Sequence, residues 1–281
     1  MNEKVSIIIP VYNKAKYVSE TIQSALNQTY DNIEIVIVND GSVDNSSEII
    51  KDFVDKNKNI LFFNEKENKG VVHARNMAID AASGEYILPL DADDTIEPTY
   101  IEKAIKILTK NPDIGIVYCK ARKFGRKNKI WKLPTFDKNK FIYENCIFCS
   151  ALFRKKDFLT LGKYKPYMQN GYEDWDLWLS FVEADLKPYR IDEVLFNYRQ
   201  CNEKTRSDYT NKNKILWLQQ ILKNHINLYL NNFNFIEKVF FNTDNINRKY
   251  KKYKKLFNIS IFLLIIETVL LVYFIGRSIN G

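Results

Sequence analysis

The stretch GEYILPLDADD, residues 84–94, decides the fold class of this chain, because a short apolar run ends there in three carboxylates. Residues 86–90 are apolar and rich in β-formers, which predicts a buried strand. Asp91 and Asp93 are two positions apart, so both side chains leave the same face while the chain stays extended. Carboxylates this close repel each other unless a cation or hydrogen-bond donors compensate.

Two interpretations of this acidic strand end are open from the residues alone. Hard oxygen ligands at the mouth of a sheet suit Mg²⁺ or Mn²⁺, which keep water ligands and take others from substrate phosphates. The alternative is a solvated acidic turn that caps the next helix, with Asp94 or Thr95 as the N-cap and Pro98 early in the helix.

Length and composition indicate a folded protein with one large domain and an appendage. The chain has 281 residues, of which 27% are charged and 14% aromatic. Its formal net charge is +8, but six of the eight residues from 248 to 255 are basic, so most of the excess lies in one segment. Since no nucleic-acid-binding motif accompanies this charge, we expect no nucleic-acid partner.

The first hundred residues alternate between strand and helix patterns, which predicts an α/β fold with a mainly parallel sheet covered on both faces. Ligands bind such sheets beyond the carboxyl ends of the strands. Asn13, Asp40 and Asp91 each follow a predicted strand, so we expect them at one crevice. The predicted strands cover 5–11, 33–38, 60–63 and 86–90, and the helices between them cover 15–27, 47–54 and 71–82.

The pattern is mixed in the second part of the chain. Neither a G-x-G-x-x-G sequence after the first strand nor a Walker A sequence occurs, which argues against ordinary dinucleotide-binding and P-loop proteins. Apolar spacing predicts strands at 114–124, 130–133, 149–153 and 188–198, and helices at 173–184 and 212–230.

Five motifs, in their order and spacing, resemble the family 2 glycosyltransferases of the GT-A fold. The resemblance covers residues 4–207, and it implies a Rossmann-like nucleotide-diphospho-sugar transferase domain at 1–207, with a nucleotide-binding half (1–95) and an acceptor half (96–207). It also implies an inverting, metal-dependent hexosyl- or N-acetylhexosaminyltransferase. The motifs are VSIIIPVYN (5–13), IVNDGS (37–42), NKGVVHARN (68–76), DADD (91–94) and GYEDWD (171–176).

The resemblance also implies which residues bind the nucleotide-sugar donor. Tyr12 would lie on the base, and Asp40 would accept a hydrogen bond from a uracil ring N–H, which favours a UDP-sugar. Arg75 would hold acidic groups or the diphosphate, or form a structural ion pair. Asp91 would serve the ribose, and Asp93 would bind the Mn²⁺ or Mg²⁺ ion. The full implied donor set is Pro10, Tyr12, Asn13, Asp40, Arg75, Asp91 and Ala92.

Glu173 and Asp174 open a predicted helix on the acceptor side, where the helix N-terminus favours negative charge. By resemblance, Asp174 is the catalytic base that deprotonates the acceptor hydroxyl, and Glu173 orients the acceptor. The alternative is ordinary negative charge at a helix start. Trp175 and Trp178 are candidates for the floor of an acceptor-sugar site, with core packing as the alternative for Trp178.

One position departs from the family pattern. Relatives often have Tyr-Arg-x-His near the end of the domain, with the His available to the metal, and here the sequence is YRQC, residues 198–201. Cys201 is a softer ligand that matches Mg²⁺ or Mn²⁺ poorly. This change keeps open the alternative of a membrane-attached, non-catalytic sugar- or nucleotide-binding subunit.

Residues 256–276 predict a C-terminal membrane anchor, because they are apolar nearly all round and about as long as the ~20 residues that span a bilayer. The basic end of the predicted helical segment 208–255 precedes them, which places the enzyme on the cytoplasmic face of the inner membrane. A surface-lying helix and a soluble oligomerisation helix are the alternatives. We expect a glycan or lipid-linked acceptor in surface-polysaccharide synthesis, extended by one sugar per cycle because the Q-x-x-R-W segment of processive relatives is missing.

Overall fold

The computed structural model of the chain describes residues 3–169, 171–201 and 212–232. The chain divides into two units, Met1–Leu228 and Tyr229–Gly281. The predicted anchor at 256–276 and much of the basic segment lie outside the described residues. Within the described ranges, no helix is both long enough and apolar enough to cross a bilayer.

Strands and helices alternate through the first ninety residues as the sequence predicts, and the later part of the first unit is mixed and contains elements that the sequence analysis did not list. The strands are β1 (Val5–Val11), β2 (Ile33–Asp40), β3 (Ile60–Glu65), β4 (Tyr86–Pro89), β5 (Thr95–Ile96), β6 (Ile114–Gly125), β7 (Lys129–Trp131), β8 (Leu152–Arg154) and β9 (Lys187–Gln200). The helices are α1 (Val18–Leu26), α2 (Ser46–Lys56), α3 (Val71–Ala81), α4 (Tyr100–Lys110), α5 (Lys138–Phe141), α6 (Lys155–Thr160), α7 (Glu173–Glu183), α8 (Lys214–Asn224) and α9 (Ile226–Asn231).

The described strands form one mixed sheet in the order β3-β2-β1-β4-β8-β6-β9-β5, with β7 paired to β6. Strands β1 to β4 are parallel, which confirms the prediction for the first hundred residues. Strand β8 then runs antiparallel to both β4 and β6. All seven residues of β1 are buried, as expected for a central parallel strand covered on both faces.

Strand β1 lies between β2 and β4, so the carboxyl ends of these three strands are neighbours along one edge of the sheet. Asn13 follows β1, Asp40 ends β2, and Asp91 lies just beyond β4. The structure therefore places the polar residues of three strand ends at the same edge, where the sequence predicts a crevice.

The alternative in which Asp94 or Thr95 caps a helix is wrong. Thr95 begins β5 and pairs antiparallel with Asn197 of β9. Helix α4 starts at Tyr100, and Thr99 is its N-cap residue without a side-chain cap hydrogen bond. The partner strand is about a hundred residues away in the sequence, so local spacing does not reveal this pairing.

The predicted helix 212–230 is interrupted at His225, between α8 and α9. His225 is buried, with Nδ1 2.6 Å from Glu183 Oε2 and Nε2 3.2 Å from Asp176 Oδ1. Asn224 Nδ2 also donates a hydrogen bond to Asp176 Oδ1, at 2.6 Å. Burial lowers the pKa of His225, but its hydrogen bonds to Asp176 and Glu183 raise it from 6.5 to about 9. A charged imidazole thus holds the end of α8 on α7.

The contacts of His225 with Asp176 and Glu183 predict a pH-dependent contribution to the free energy of unfolding. Because the folded pKa is raised, the contribution is full below about pH 6.5 and is lost as the pH rises through about 9. We expect His225→Gln to lower the free energy of unfolding by at most about 3 kcal/mol near pH 6, and by much less near pH 10. The melting temperature should therefore fall clearly near pH 6 and little near pH 10. Lys223→Gln, at an exposed neighbouring position, is the control. An equal loss for His225→Gln at both pH values would rule out the charge.

Candidate active site

The loops after β1 and β2 are joined by Asn13, which adopts the left-handed region with a φ of 51°. Its backbone N–H donates to Ser42 Oγ at 2.9 Å, and its side-chain Oδ1 accepts from the backbone N–H of Val43 at 2.9 Å. The side chain of Tyr12 is 46% exposed beside this junction, and Pro10 is buried within β1. Of the predicted donor residues on β1 and directly after it, Tyr12 is therefore the one with an exposed aromatic ring.

Asp40 is buried and holds the loop that leads into α3. One carboxylate oxygen accepts from the backbone N–H of Lys69 at 2.9 Å, and the other accepts from that of Gly70 at 2.8 Å. Gly41 has a φ of 68°, and a Cβ there would lie 2.5 Å from the backbone nitrogen of Asn68, so the two loops approach too closely for any side chain. A carboxylate has about four lone-pair sites. Base recognition by Asp40 would use the remaining ones, and it stays a prediction.

Arg75 connects the two halves of the predicted site. This fully buried side chain of α3 donates through Nη1 to Glu173 Oε1 at 2.7 Å, and through Nη2 to Asp91 Oδ1 at 2.6 Å. Its guanidinium carbon also lies 5.6 Å from the centre of the Tyr164 ring. One cation thus joins the end of β4 to the start of α7, and it neutralises an acid from each.

The acids that open α7 have different surroundings. Glu173 is buried against Arg75, whereas Asp174 is half-buried and accepts the backbone N–H of Trp175 at 2.7 Å. The preceding Tyr172 has a φ of 59°, so the chain turns sharply into the helix. Burial raises the pKa of the Tyr172 hydroxyl, and the negative charge of Asp174 raises it further.

Trp175 and Trp178 belong to the core. Both are buried, and Trp175 Nε1 donates to the carbonyl of Phe141 at 2.9 Å. Core packing, the alternative for Trp178, is correct, and Trp175 is buried as well, so an exposed aromatic floor for an acceptor sugar is wrong. Trp178 packs edge-on against Phe153 of β8, with ring centres 5.7 Å apart.

The three acids after β4 have three different environments. Asp91 is paired with Arg75 and also accepts from Cys149 Sγ at 3.5 Å. Asp93 lies 2.5 Å from Lys14 Nζ. Burial, together with the negative charges of Asp93 and Asp91, raises the pKa of Asp94 well above its usual range. Ala92 is buried between these acids. Asp93 is thus the acid whose carboxylate is paired with a partly exposed lysine.

Two cations at this site were missed by the sequence analysis. Burial lowers the pKa of Lys14, but the charge and hydrogen bond of Asp93 raise it above its usual value overall. Arg199 donates its backbone N–H to Asp94 Oδ1 and its Nε to the carbonyl of Asp93, both at 2.7 Å. Lys14 directly follows the VYN of the first motif and Arg199 lies within YRQC, so adjacency to a motif was the available signal.

The donor set suits a divalent cation that relies on substrate for most of its ligands. In the described ranges, no three His, Cys, Asp or Glu side chains are grouped to hold a metal ion. The carboxylates of Asp91 and Asp93 are 31% and 18% exposed at the strand ends. Mg²⁺ is usually bound by one or two carboxylates together with phosphate oxygens and water. Asp93 would hold the ion, because its partner Lys14 is partly exposed, whereas Arg75, the partner of Asp91, is fully buried. Cys201 is half-buried and directly follows β9.

Comparison with known proteins agrees with this geometry. The profile of Glycosyl transferase family 2 matches residues 6–168. An uncharacterized glycosyltransferase of Haemophilus influenzae is 30% identical over 254 residues, which cover 84% of this chain and 77% of the relative. The chain belongs to glycosyltransferase family 2. Membership confirms the resemblance carried by the five motifs, and with it a glycosyltransferase activity.

Other relatives extend the comparison. The chondroitin synthase of Pasteurella multocida is 29% identical over 253 residues, which cover 88% of this chain and 25% of that protein. Staphylococcus aureus TarS residues 1–349 in complex with UDP superposes with a TM-score of 0.62 at 18% identity, over 84% of this chain and 72% of that chain. Mannosyltransferase PcManGT of Pyrobaculum calidifontis, in complex with GDP-Man and Mn²⁺, superposes with a TM-score of 0.61 at 21% identity. The match covers 81% of this chain and 65% of that chain. These structures support the α/β GT-A fold.

The buried position of Arg75 predicts a large stability effect. Arg75→Met should lower the free energy of unfolding by about 3–5 kcal/mol, because it removes the cation that is paired with the buried carboxylate of Glu173. The double variant Arg75→Met/Glu173→Leu should recover most of this loss, since it also removes the buried acid, and the remaining acid, Asp91, is 31% exposed to water. Urea unfolding of the two variants measures the difference. A single variant within about 1 kcal/mol of the wild type would show that the pair contributes little.

Proposed function

We propose that this glycosyltransferase moves a sugar from a nucleotide diphosphate donor to an acceptor hydroxyl with inversion at the anomeric carbon. The observation that carries this proposal is the double ion pair of Arg75. It brings Asp91, on the predicted donor side, and Glu173, on the predicted acceptor side, to opposite ends of one guanidinium. Asp174 follows Glu173 directly, so the predicted base lies next to the donor loop.

Asp174 is proposed as the base. Its half-buried carboxylate lies in the first turn of α7, where the partial positive charge of the helix N-terminus favours the ionised form. It would accept the proton of the acceptor hydroxyl while that oxygen bonds to the anomeric carbon and the carbon–phosphate oxygen bond breaks. Glu173 would act through Arg75 rather than touch the acceptor, because it is 2% exposed.

The donor diphosphate is proposed to lie over Asp93. A divalent ion bound there would offset the charge of the departing nucleoside diphosphate. Uridine is the favoured base because Tyr12 offers an exposed ring and TarS binds UDP. Asp40 would accept the ring N–H of uracil, as the resemblance implies. Guanosine is the runner-up, since PcManGT binds GDP-Man and Mn²⁺.

A donor panel with a base-deficient variant tests this function. We expect the wild type to release UDP from a UDP-sugar only with Mn²⁺ or Mg²⁺ present, and chelation to abolish release. Asp174→Asn should reduce transfer by ~10² to 10⁴, the usual contribution of a general base. It should keep the thermal stabilisation by UDP and Mn²⁺, because Asp174 is not proposed to bind the donor.

Asp185→Asn is the matched control, because it removes an exposed acid just beyond the other end of α7. It should behave as the wild type. Full transfer by Asp174→Asn would remove it as the base. Release of no nucleoside diphosphate from any UDP-, GDP- or TDP-sugar with either ion would overturn the proposed function.

We further propose that the enzyme acts on a glycan or lipid-linked acceptor at the cytoplasmic face of the inner membrane. The support is compositional: residues 256–276 are apolar, and the basic run 248–255 precedes them. Positive charge beside an apolar segment favours the cytoplasmic side and anionic lipid. A shared surface would bring the enzyme to an acceptor that does not leave the membrane.

Fractionation tests this location. The full chain should remain in the membrane pellet through both high salt and alkaline wash, because a spanning segment is held by apolar burial and not by charge. Release by alkaline wash would favour a surface-lying helix. A chain that is soluble without detergent would contradict both membrane proposals and favour the oligomerisation helix.

A further inference from the structure

Lys14 has a backbone that is fixed in place by hydrogen bonds. Its N–H donates to Ser46 Oγ at 2.9 Å, at the start of α2. Its carbonyl accepts from the N–H groups of Tyr17 and Val18, each at 2.9 Å, where α1 begins. The N–H of the next residue, Ala15, is also bound by the loop before α2. Hydrogen bonds at the starts of α1 and α2 therefore fix the backbone from which the Lys14 side chain extends.

From this fixed backbone position, the ammonium of Lys14 reaches Asp93. Its Nζ lies 2.5 Å from Asp93 Oδ2, and the two side chains are 32% and 18% exposed. The contact joins the loop after β1 to the loop after β4, at the mouth of the crevice. Lys14 is thus the cation on the carboxylate that the proposed function assigns to the metal ion.

Arg199 does not fill this role, although it is the other cation close to Asp93. Its Nε donates to the main-chain carbonyl of Asp93, and its Nη2 is paired with Glu20. Its guanidinium also lies on the Phe124 ring, 4.2 Å from the ring centre. These contacts hold it to the main chain of the acidic loop, so the Asp93 carboxylate is left to Lys14.

An ammonium and a divalent ion cannot share one carboxylate oxygen without strong repulsion, because like charges at contact distance repel in a partly buried site. A diphosphate changes the balance, since its oxygens offer the ammonium another partner. Lysine suits such an exchange, because its compact charge sits on a flexible four-carbon stem and it binds phosphate as a point charge.

We propose that Lys14 is a built-in cation that keeps the divalent ion off Asp93 until a nucleotide diphosphate is bound. The ammonium then moves from Asp93 to the diphosphate, and the metal ion takes its place. Metal and nucleotide therefore bind the enzyme together more tightly than either binds alone. This inference rests on the proposed metal role of Asp93.

Binding of Mn²⁺ itself, without any turnover, tests the inference. The full chain is titrated with Mn²⁺ alone and with saturating UDP, and free Mn²⁺ is measured by electron paramagnetic resonance. In the wild type we expect UDP to tighten Mn²⁺ binding by about tenfold or more. In Lys14→Gln, Mn²⁺ alone should bind about tenfold more tightly than in the wild type, and the gain from UDP should shrink.

Reciprocity supplies a second readout, because Mn²⁺ must change the affinity for UDP by the same factor as UDP changes that for Mn²⁺. Calorimetry with UDP, with and without Mn²⁺, should therefore show the same reduced coupling in Lys14→Gln. Lys14→Arg keeps the positive charge beside Asp93, so Mn²⁺ alone should bind it as weakly as it binds the wild type. Lys16→Gln removes an exposed charge from the same loop and should leave both affinities unchanged, which controls for net charge.

The outcomes separate this inference from the function it rests on. If Lys14→Gln binds Mn²⁺ alone no more tightly than the wild type, while Asp93→Asn abolishes binding with UDP, the inference is wrong and the metal role stands. If neither wild type nor Lys14→Gln binds Mn²⁺ with UDP or GDP, both are overturned. A wild type that binds Mn²⁺ equally well with and without UDP also overturns the inference.

Discussion

The buried guanidinium of Arg75 is the interaction on which the candidate site depends. A fully buried cation is stable only when paired and hydrogen-bonded, and here Asp91 and Glu173 supply both conditions. The two acids come from different halves of the fold, so α7 cannot move away from the end of β4 without exposing a buried charge. The relative position of the proposed donor and acceptor groups is therefore set by electrostatics as well as by apolar packing.

The same crevice shows how an acidic cluster is tolerated in a folded protein. Asp91 is neutralised by Arg75, Asp93 by Lys14, and Asp94 by burial, which favours its protonated form. The charge of each acid is balanced differently because each has different surroundings: Arg75 for Asp91, Lys14 for Asp93 and the buried interior for Asp94. Only the Asp93 solution involves a long, partly exposed side chain, so the charge balance can change there when an anionic ligand arrives.

Hydrogen bonds between loops also fix the positions of the loops around the site. Asn13 binds the loop after β2, and Asp40 binds the loop before α3 through two backbone N–H groups. Asp40 was expected to read a base, and its main observed contacts are with the protein itself. A residue in a family motif can thus shape the site through its contacts with the protein, and base recognition by Asp40 stays a prediction.

The sequence by itself determined the strands and helices from β1 to β4, because their apolar spacing is a local property. It also located the acids after β4 and at the start of α7, since both stand at the ends of apolar runs. Tertiary structure alone decided that Arg75 joins Asp91 to Glu173, that Lys14 faces Asp93, and that Thr95 pairs with β9. These contacts depend on which strands are neighbours in the sheet, and strand order is not encoded in the spacing of residues along one segment.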